Sequence, residues 1–429
     1  MTDQGKMPLN RIWSWGAGTH GQLASGDFND HLEPLELITF AEESGEFSST
    51  FSCPTVLDMA GGGAHAVAVL GPEAHGQVVT WGNGQSGALG HGDESDLSIP
   101  KLVKFFQAIP IRSVAAGWSH TAFVSYSGEL YTTGNGSFGQ LGHGDFKARS
   151  VPSKVKTLPC KAVSMVACGM RHTLVLACGL SGEHEVYAFG SCKRGQLGLG
   201  ALDHLKTSQP NFKSTGKVSV PQRIIGLDEH QIVFLAANGD HSAALSEDGS
   251  LHLWGRGFNG SPDDFVPLRI GNQLPFSKVA LGWNHGIALA DGQLWVWGSN
   301  DRGQLGIVKE SASESTSVDV HSSSSVTTKG QDDVGTSTPG NDGPQMTKVV
   351  GLEENVVRWL SAGAEHSAVV LDDGRIMAWG WGEHGQLGLG TVEDQLWPTV
   401  VSIPLEGQVR WRTFCGSGFT FAVAEQRAP

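Results

Sequence analysis

The chain has no Cys-x-x-Cys pair among its 6 cysteines, which removes the usual zinc frameworks. It has no apolar run near the ~18 residues of a membrane-spanning helix. Its first ten residues, MTDQGKMPLN, lack the apolar centre of a secretory leader. It has no compact Lys/Arg cluster of the kind that reads as a nuclear import signal. Positive charge is short overall: 29 Lys and Arg against 43 Asp and Glu, a formal charge of −14. Such a surface repels phosphates, so direct DNA or RNA binding is not expected and a basic protein partner is. Most cysteines sit in apolar or Gly-rich phrases such as MVACGM, which suggests buried free thiols in a reducing compartment. The expected setting is nuclear or cytoplasmic, without secretion or a membrane.

Glycine, in contrast, is plentiful at 59 residues, about twice the usual ~7%. Much of it recurs in one phrase: WGAGTHGQLA (15–24), WGNGQSGALG (81–90), TGNGSFGQLG (133–142), FGSCKRGQLG (189–198), WGRGFNGSPD (254–263), WGSNDRGQLG (297–306) and WGWGEHGQLG (379–388). Five of the seven match G-x-G-x-x-G, the dinucleotide fingerprint. Recurrence at seven places argues for a structural turn. A dinucleotide site also needs a helix directly after the loop, and QLGHGD or QLGLG would break one. No cofactor is therefore expected.

A second phrase alternates with the first: GGAHAVAV, GWSHTAFV, GMRHTLVL, NGDHSAAL, GWNHGIAL, GAEHSAVV and GSGFTFAV. Each opens an apolar run that ends in a turn such as EDGS or DDGR, and a short strand then leads into the Gly loop. Most units have another strand-like run upstream. The loop glycines are spaced 66, 52, 56, 65, 43 and 82 residues apart. Multi-stranded repeats near ~40–50 residues predict an all-β propeller, because one blade cannot bury both of its faces alone.

The two chain ends complement each other. RIWSW (11–15) has a Gly loop but no G-x-x-H strand before it, and GSGFTFAV (416–423) has no WG strand after it. Their pairing predicts a seven-bladed β-propeller closed by the N- and C-terminal strands, which hides two edges. The expected plan is a tail at 1–10, a single propeller at 11–424 and a tail at 425–429. An insert at 308–345 interrupts the propeller. Its block 311–340 holds 14 Ser or Thr in 30 residues and reads as a disordered loop. Its Thr338-Pro339 step is compatible with phosphorylation. Deleting 311–340 is expected to leave the near-UV circular dichroism unchanged; strong amide protection within the block would contradict this.

Seven units of G-x-x-H-[TS] followed by WG-x-[GN]-x-x-GQLG-x-G resemble the regulator of chromosome condensation repeat. The likeness runs from Arg11 to Val423 outside the insert, and phrases such as NGSFGQLGHGD look like plant members. It implies a propeller that works by binding proteins. Relatives include an exchange factor for the small GTPase Ran, bound to nucleosomes, and a plant UV-B photoreceptor. The exchange factor uses a protruding β-wedge, for which 200–220 is the one candidate here; the basic N-terminal arm of that protein is absent. The photoreceptor uses tryptophans in G-W-R-H phrases. Here only Trp118 and Trp283 hold that slot, with Ser119 and Asn284 in place of Arg. Counted as three blades of seven apart, these two are expected nearly opposite across the ring, too far apart to couple.

His65, His120, His172, His241, His285 and His366 come one per blade, which points to a repeated structural hydrogen bond rather than a metal site. The Trp of each WG (Trp15, Trp81, Trp254, Trp297, Trp379) is expected to pack between blades, and Asp27, Asp93 and Asp145 fit turn chemistry. No Ser-His-Asp or paired-carboxylate set emerges, so no enzyme is expected. The variable positions inside G-x-x-H are the binding candidates: Trp118, Ser119, Met170, Arg171, Asp240, Trp283, Asn284 and Glu365. The repeat does not dictate them, they belong to loops on one face, and Trp, Met and Arg are enriched at protein contacts. Expected partners are histones or another basic protein, or a small GTPase.

Overall fold

The computed structural model describes residues 11–37, 55–71, 76–180, 182–200, 216–271, 274–307, 344–349, 351–352, 355–404 and 409–426. The tail 1–10 and residues 308–343 of the expected insert lie outside these. Seven four-stranded antiparallel sheets form the blades. Blade one runs outward through Thr55–Gly61, His65–Gly71, Gln77–Gly82 and Leu97–Leu102. Blades two to six repeat this order, with inner strands Ile111–Ala116, Ala162–Cys168, Ile232–Asn238, Phe276–Leu281 and Val357–Ala362. The second strand of blade one, HAVAVLG, is buried at every residue, and that of blade three, HTLVLAC, at all but its last. They are central in their own sheet and covered by a blade on each face, so they read as unbroken apolar runs instead of alternating ones.

Blade seven closes the ring as the sequence requires. Arg11–Gly16 pairs with Phe419–Gln426 from Arg11↔Ala424 to Gly16↔Phe419. The C-terminal strand reaches Gln426, slightly beyond the expected boundary at 424. The inner strands of blades one to six each carry a bulge at an equivalent point, for example between Val56 and Asp58. Side chains from this region bind the next blade. The Asp58 carboxylate accepts the Val114 N–H at 3.0 Å, and Arg412 donates to the Val56 carbonyl at 2.6 Å.

The G-x-x-H histidines are the interblade latch. Each Nε2 meets the hydroxyl that follows the histidine of the next blade: His65 to Thr121 at 2.9 Å, His120 to Thr173 at 3.0 Å, His172 to Ser242 at 2.9 Å, His285 to Ser367 at 3.0 Å and His366 to Thr420 at 3.0 Å. Each hydroxyl in turn donates to a carbonyl of the preceding Gly loop, as Thr173 does to Gln140 at 2.8 Å and Thr420 to Gln386 at 3.0 Å. With the hydroxyl proton committed there, the imidazole must be the donor, which selects the neutral tautomer protonated on Nε2. The WG tryptophans are buried. Trp15, Trp81, Trp254 and Trp379 donate to the Gln carbonyl of the same loops at 2.9–3.0 Å. This contact explains the last Gly of QLG: at Gly388, with φ 71, a Cβ would lie 2.8 Å from the Trp15 ring.

Two junctions depart from the latch. Between blades seven and one the histidine is Phe419 and the hydroxyl position is Ala66, a matched apolar pair. Between blades four and five the match fails. His241 faces a blade whose hydroxyl position is Gly286, and its ring nitrogens have no well-formed hydrogen bond, only the Trp283 and Arg256 backbone nearby. It stacks on Phe258 instead, 4.2 Å away at 9°. Trp297 has moved into the space of the absent side chain, where a Cβ on Gly286 would sit 2.2 Å from its ring, and its N–H also lacks a partner. Blade four has lost the Gln-Leu-Gly that would supply the acceptor. Removing two orphaned nitrogens should help. His241→Phe, copying Phe419, is expected to raise stability by about 1–2 kcal/mol, read as a higher denaturant midpoint at constant slope; a lower midpoint would contradict the assignment.

Smaller expectations also meet the structure. The Asp27, Asp93 and Asp145 carboxylates accept N–H groups two residues on. Among the described cysteines all are free; Cys168 and Cys192 are buried, but Cys160, Cys178 and Cys415 are only half-buried. Cys178 and Cys415 end their strands, and Cys160 lies in the bend before Ala162–Cys168.

Candidate protein-binding face

The G-x-x-H loops and the Gly loops emerge on the same side of the ring. The second residue of G-x-x-H faces the central channel, and its backbone helps to tie the mouth together. Gly63 N–H donates to Gly117 at 3.1 Å, Met170 to Gly239 at 2.8 Å, Trp283 to Ala364 at 2.8 Å, Ala364 to Ser417 at 3.1 Å and Ser417 to Gly62 at 2.9 Å. The third residue uses its carbonyl to hold the blade's own Gly loop: Ser119 accepts from Asn135, Arg171 from Ser191, Asp240 from Arg256, Asn284 from Ser299 and Glu365 from Trp381. Its backbone is thus structural and its side chain free to vary.

Trp118 and Trp283 do not stand apart. Their ring centroids are 5.3 Å apart at 48°, which overturns the expected separation across the ring. Three steps of seven do place their backbones on opposite arcs, but the channel is narrow and both indoles reach inward over it. The equivalent positions in blades one, four, six and seven are Gly63, Gly239, Ala364 and Ser417, so only Met170 of blade three shares the mouth with the two indoles. Below the pair the channel encloses about 270 Å³, lined by Met59, Phe234, Trp359 and Phe414 among others. Met170 lines the same opening. Trp118 keeps 44% of its surface exposed, while Trp283 and Met170 are half-buried.

The remaining candidates are dispersed. Arg171 is exposed and stacks its guanidinium on Phe138 at 4.8 Å. The Asp240 carboxylate accepts from the Gln196 amide at 2.7 Å. Burial raises its pKa, and the nearby charges of Arg171, Arg256 and Arg194 oppose that shift. Ser119 lines a second depression beside Trp118. Asn284 and Glu365 line neither the channel mouth nor that depression. The proposed wedge cannot be placed, since 201–215 lies outside the described residues.

Sequence reasoning missed Trp381, His20 and His384, which line that second depression. The signal was present. Trp381 follows WG in WGWGEHG, a slot that holds Ala17, Asn83, Asn135 or Arg256 in other units, so the fold does not require an indole there.

The model of the RCC1-like domain matches residues 11–422. The ultraviolet-B receptor UVR8 of Arabidopsis thaliana is 32% identical over 383 residues, spanning 86% of this chain and 75% of that protein. The secretion-regulating guanine nucleotide exchange factor of Mus musculus is 30% identical over 429 residues, spanning 96% and 83%. Among solved structures, Prp20p from Saccharomyces cerevisiae, described with its binding to Gsp1p and histones, superposes with a TM-score of 0.73 at 23% identity, covering 98% of this chain and 92% of that one. Human WBSCR16 superposes at 0.72 with 21% identity, covering 97% and 99%.

Proposed function

The chain belongs to the RCC1-like domain family, and from that premise we propose that it is a non-enzymatic protein-binding propeller, a chromatin-associated nuclear scaffold that docks basic proteins such as histones. The observation that carries this reading is the Trp118–Trp283 pair with Met170 at the channel mouth. An indole 44% exposed beside a second indole and a methionine offers a compact anchor of the residue types that dominate protein contacts. The anchor stands on a chain of charge −14, which steers a basic partner and repels bare DNA. The quoted phrases also resemble the plant chromatin regulator named for tolerance to chilling and freezing, which supports chromatin as the setting.

The test is a pull-down with core histones, and separately with naked DNA and a panel of small GTPases. Trp118→Ala with Trp283→Ala is expected to lower histone capture at least tenfold, while the melting temperature moves by only a few degrees. Capture should also weaken as salt rises. Two rivals have observations behind them. The murine exchange factor aligns along nearly the whole chain, and faster nucleotide release from a GTPase would favour that activity. The 5.3 Å indole pair and the likeness to UVR8 favour light sensing. With Ser119 and Asn284 beside the indoles, we expect UV-B to leave the elution volume unchanged; a shift would favour the sensor.

A further inference from the structure

The depression beside Trp118 has a chemistry of its own. It encloses about 300 Å³ between the loops of blades six, seven, one and two. It exists because the repeat is small there. Blades seven and one carry Ser417-Gly418 and Gly63-Ala64 inside the G-x-x-H phrase, where blades three to six place Arg171, Asp240, Asn284 and Glu365 at the third position. These small residues lower the floor, and the walls around it are aromatic.

One wall is Trp118, whose ring lies so close over Gly63 that a Cβ there would sit 2.9 Å from it. Trp381, His20 and His384 form the others. Trp381 and His384 meet edge to face at 5.3 Å and 83°. Carboxylates stand directly behind these rings. His384 Nδ1 lies 3.0 Å from Asp30, and His20 Nδ1 lies 2.9 Å from Asp96. The Trp381 N–H donates to Glu383 at 3.2 Å. Lys and Arg are absent from the described lining. Two indoles in the lining with a second layer of carboxylates make a site for a cation: the ring quadrupoles and the anions act in the same direction.

We propose that this pocket receives a Lys or Arg side chain of the protein partner, held against Trp118 and Trp381. The proposal rests on the reading of a basic partner and adds where its charge is recognised. The anchor then lies off the ring axis, toward blades seven and one, and Trp118 serves both the channel mouth and the pocket.

Gly418 allows a clean block. Its φ is outside the left-handed region, and a Cβ there would make ordinary contacts with Ala17 at 3.6 Å, His384 at 3.8 Å and Trp381 at 3.9 Å. Gly418→Leu should therefore fill the pocket with the fold retained, and Trp381→Leu should remove a wall. The full chain would be titrated with three short peptides that differ at one central residue, Lys, Arg or the uncharged isostere norleucine, with tryptophan fluorescence as the readout; core-histone capture would be measured in parallel. The expected result is that both variants weaken the Lys and Arg peptides at least tenfold and reduce histone capture, with melting temperatures close to wild type. The norleucine peptide should bind at least tenfold more weakly than either. Equal binding of norleucine, or full binding by Gly418→Leu, overturns the pocket even if wild-type histone capture persists. Specific Lys or Arg binding without histone capture supports the pocket and overturns the chromatin reading instead.

Discussion

Lowering the pH from 7 to 5 is expected to unfold the ring. The cause is burial of the six G-x-x-H histidines, the five latch residues and His241, in their neutral form. Desolvation pushes His120, His172, His285 and His366 down to about 3, and His65 and His241 to about 4. In the unfolded chain each returns to about 6.5. Above that value both states are neutral and the folded state keeps its full stability. As pH falls through 6.5 the unfolded chain takes up protons that the folded ring refuses, and stability is lost progressively until the folded values are reached. Each proton contributes about 1.4 kcal/mol per pH unit. Six together reach roughly 8 kcal/mol per pH unit near pH 5, against a total stability of about 5–15 kcal/mol for a typical domain. The melting temperature should fall steeply between pH 6.5 and 5, with about eight protons taken up on unfolding at pH 5, because burial also pushes His143 and His252 down to about 4. His241→Phe should lower that uptake by about one. A melting temperature that stays flat over this range would show that the latch is not neutral imidazole.

Removing residues 1–16 is expected to do comparable damage without any change of pH. These residues supply the strand that zips onto Phe419–Gln426 over the six pairs from Arg11 to Gly16. Trp13 and Trp15 go with it, exposed by only 1% and 0%. Trp13 packs edge-on against Trp411 at 5.1 Å, and Trp15 donates to Gln386 in blade six at 2.9 Å. Truncating one buried aromatic costs about 3–5 kcal/mol. Here two are lost, the outer strand His31–Glu36 loses its partner, and an unpaired edge is left in water. The truncated chain should lose its cooperative transition and much of its solubility. The single substitution Trp15→Ala, which leaves the edge paired, should retain a cooperative transition at a lower temperature. A truncated chain that melts at the full-length temperature would mean that closure contributes nothing.

Much of this was legible in the order of the residues. Seven Gly loops and seven G-x-x-H phrases set the number of blades. The complementary ends set how the ring closes, because a half blade at each terminus has one way to hide its edge. One histidine per blade already excluded a shared coordination sphere. Even the weak junction is visible afterwards in Gly286 and in the missing Gln-Leu-Gly after Trp254, since latch donor and acceptor lie at fixed offsets in successive repeats.

What crosses the ring could not be read this way. A repeat period fixes which blade a residue belongs to and which way its strand faces. It says nothing of the channel's width, which is set by seven blades packing their buried faces together. That width brings Trp118 to Trp283 although 165 residues separate them in the chain. The aromatic pocket arises in the same manner. Trp381, His20 and Trp118 come from three different blades, and they share one cavity because the residues between them, Gly418, Gly63 and Ala64, are too small to keep them apart.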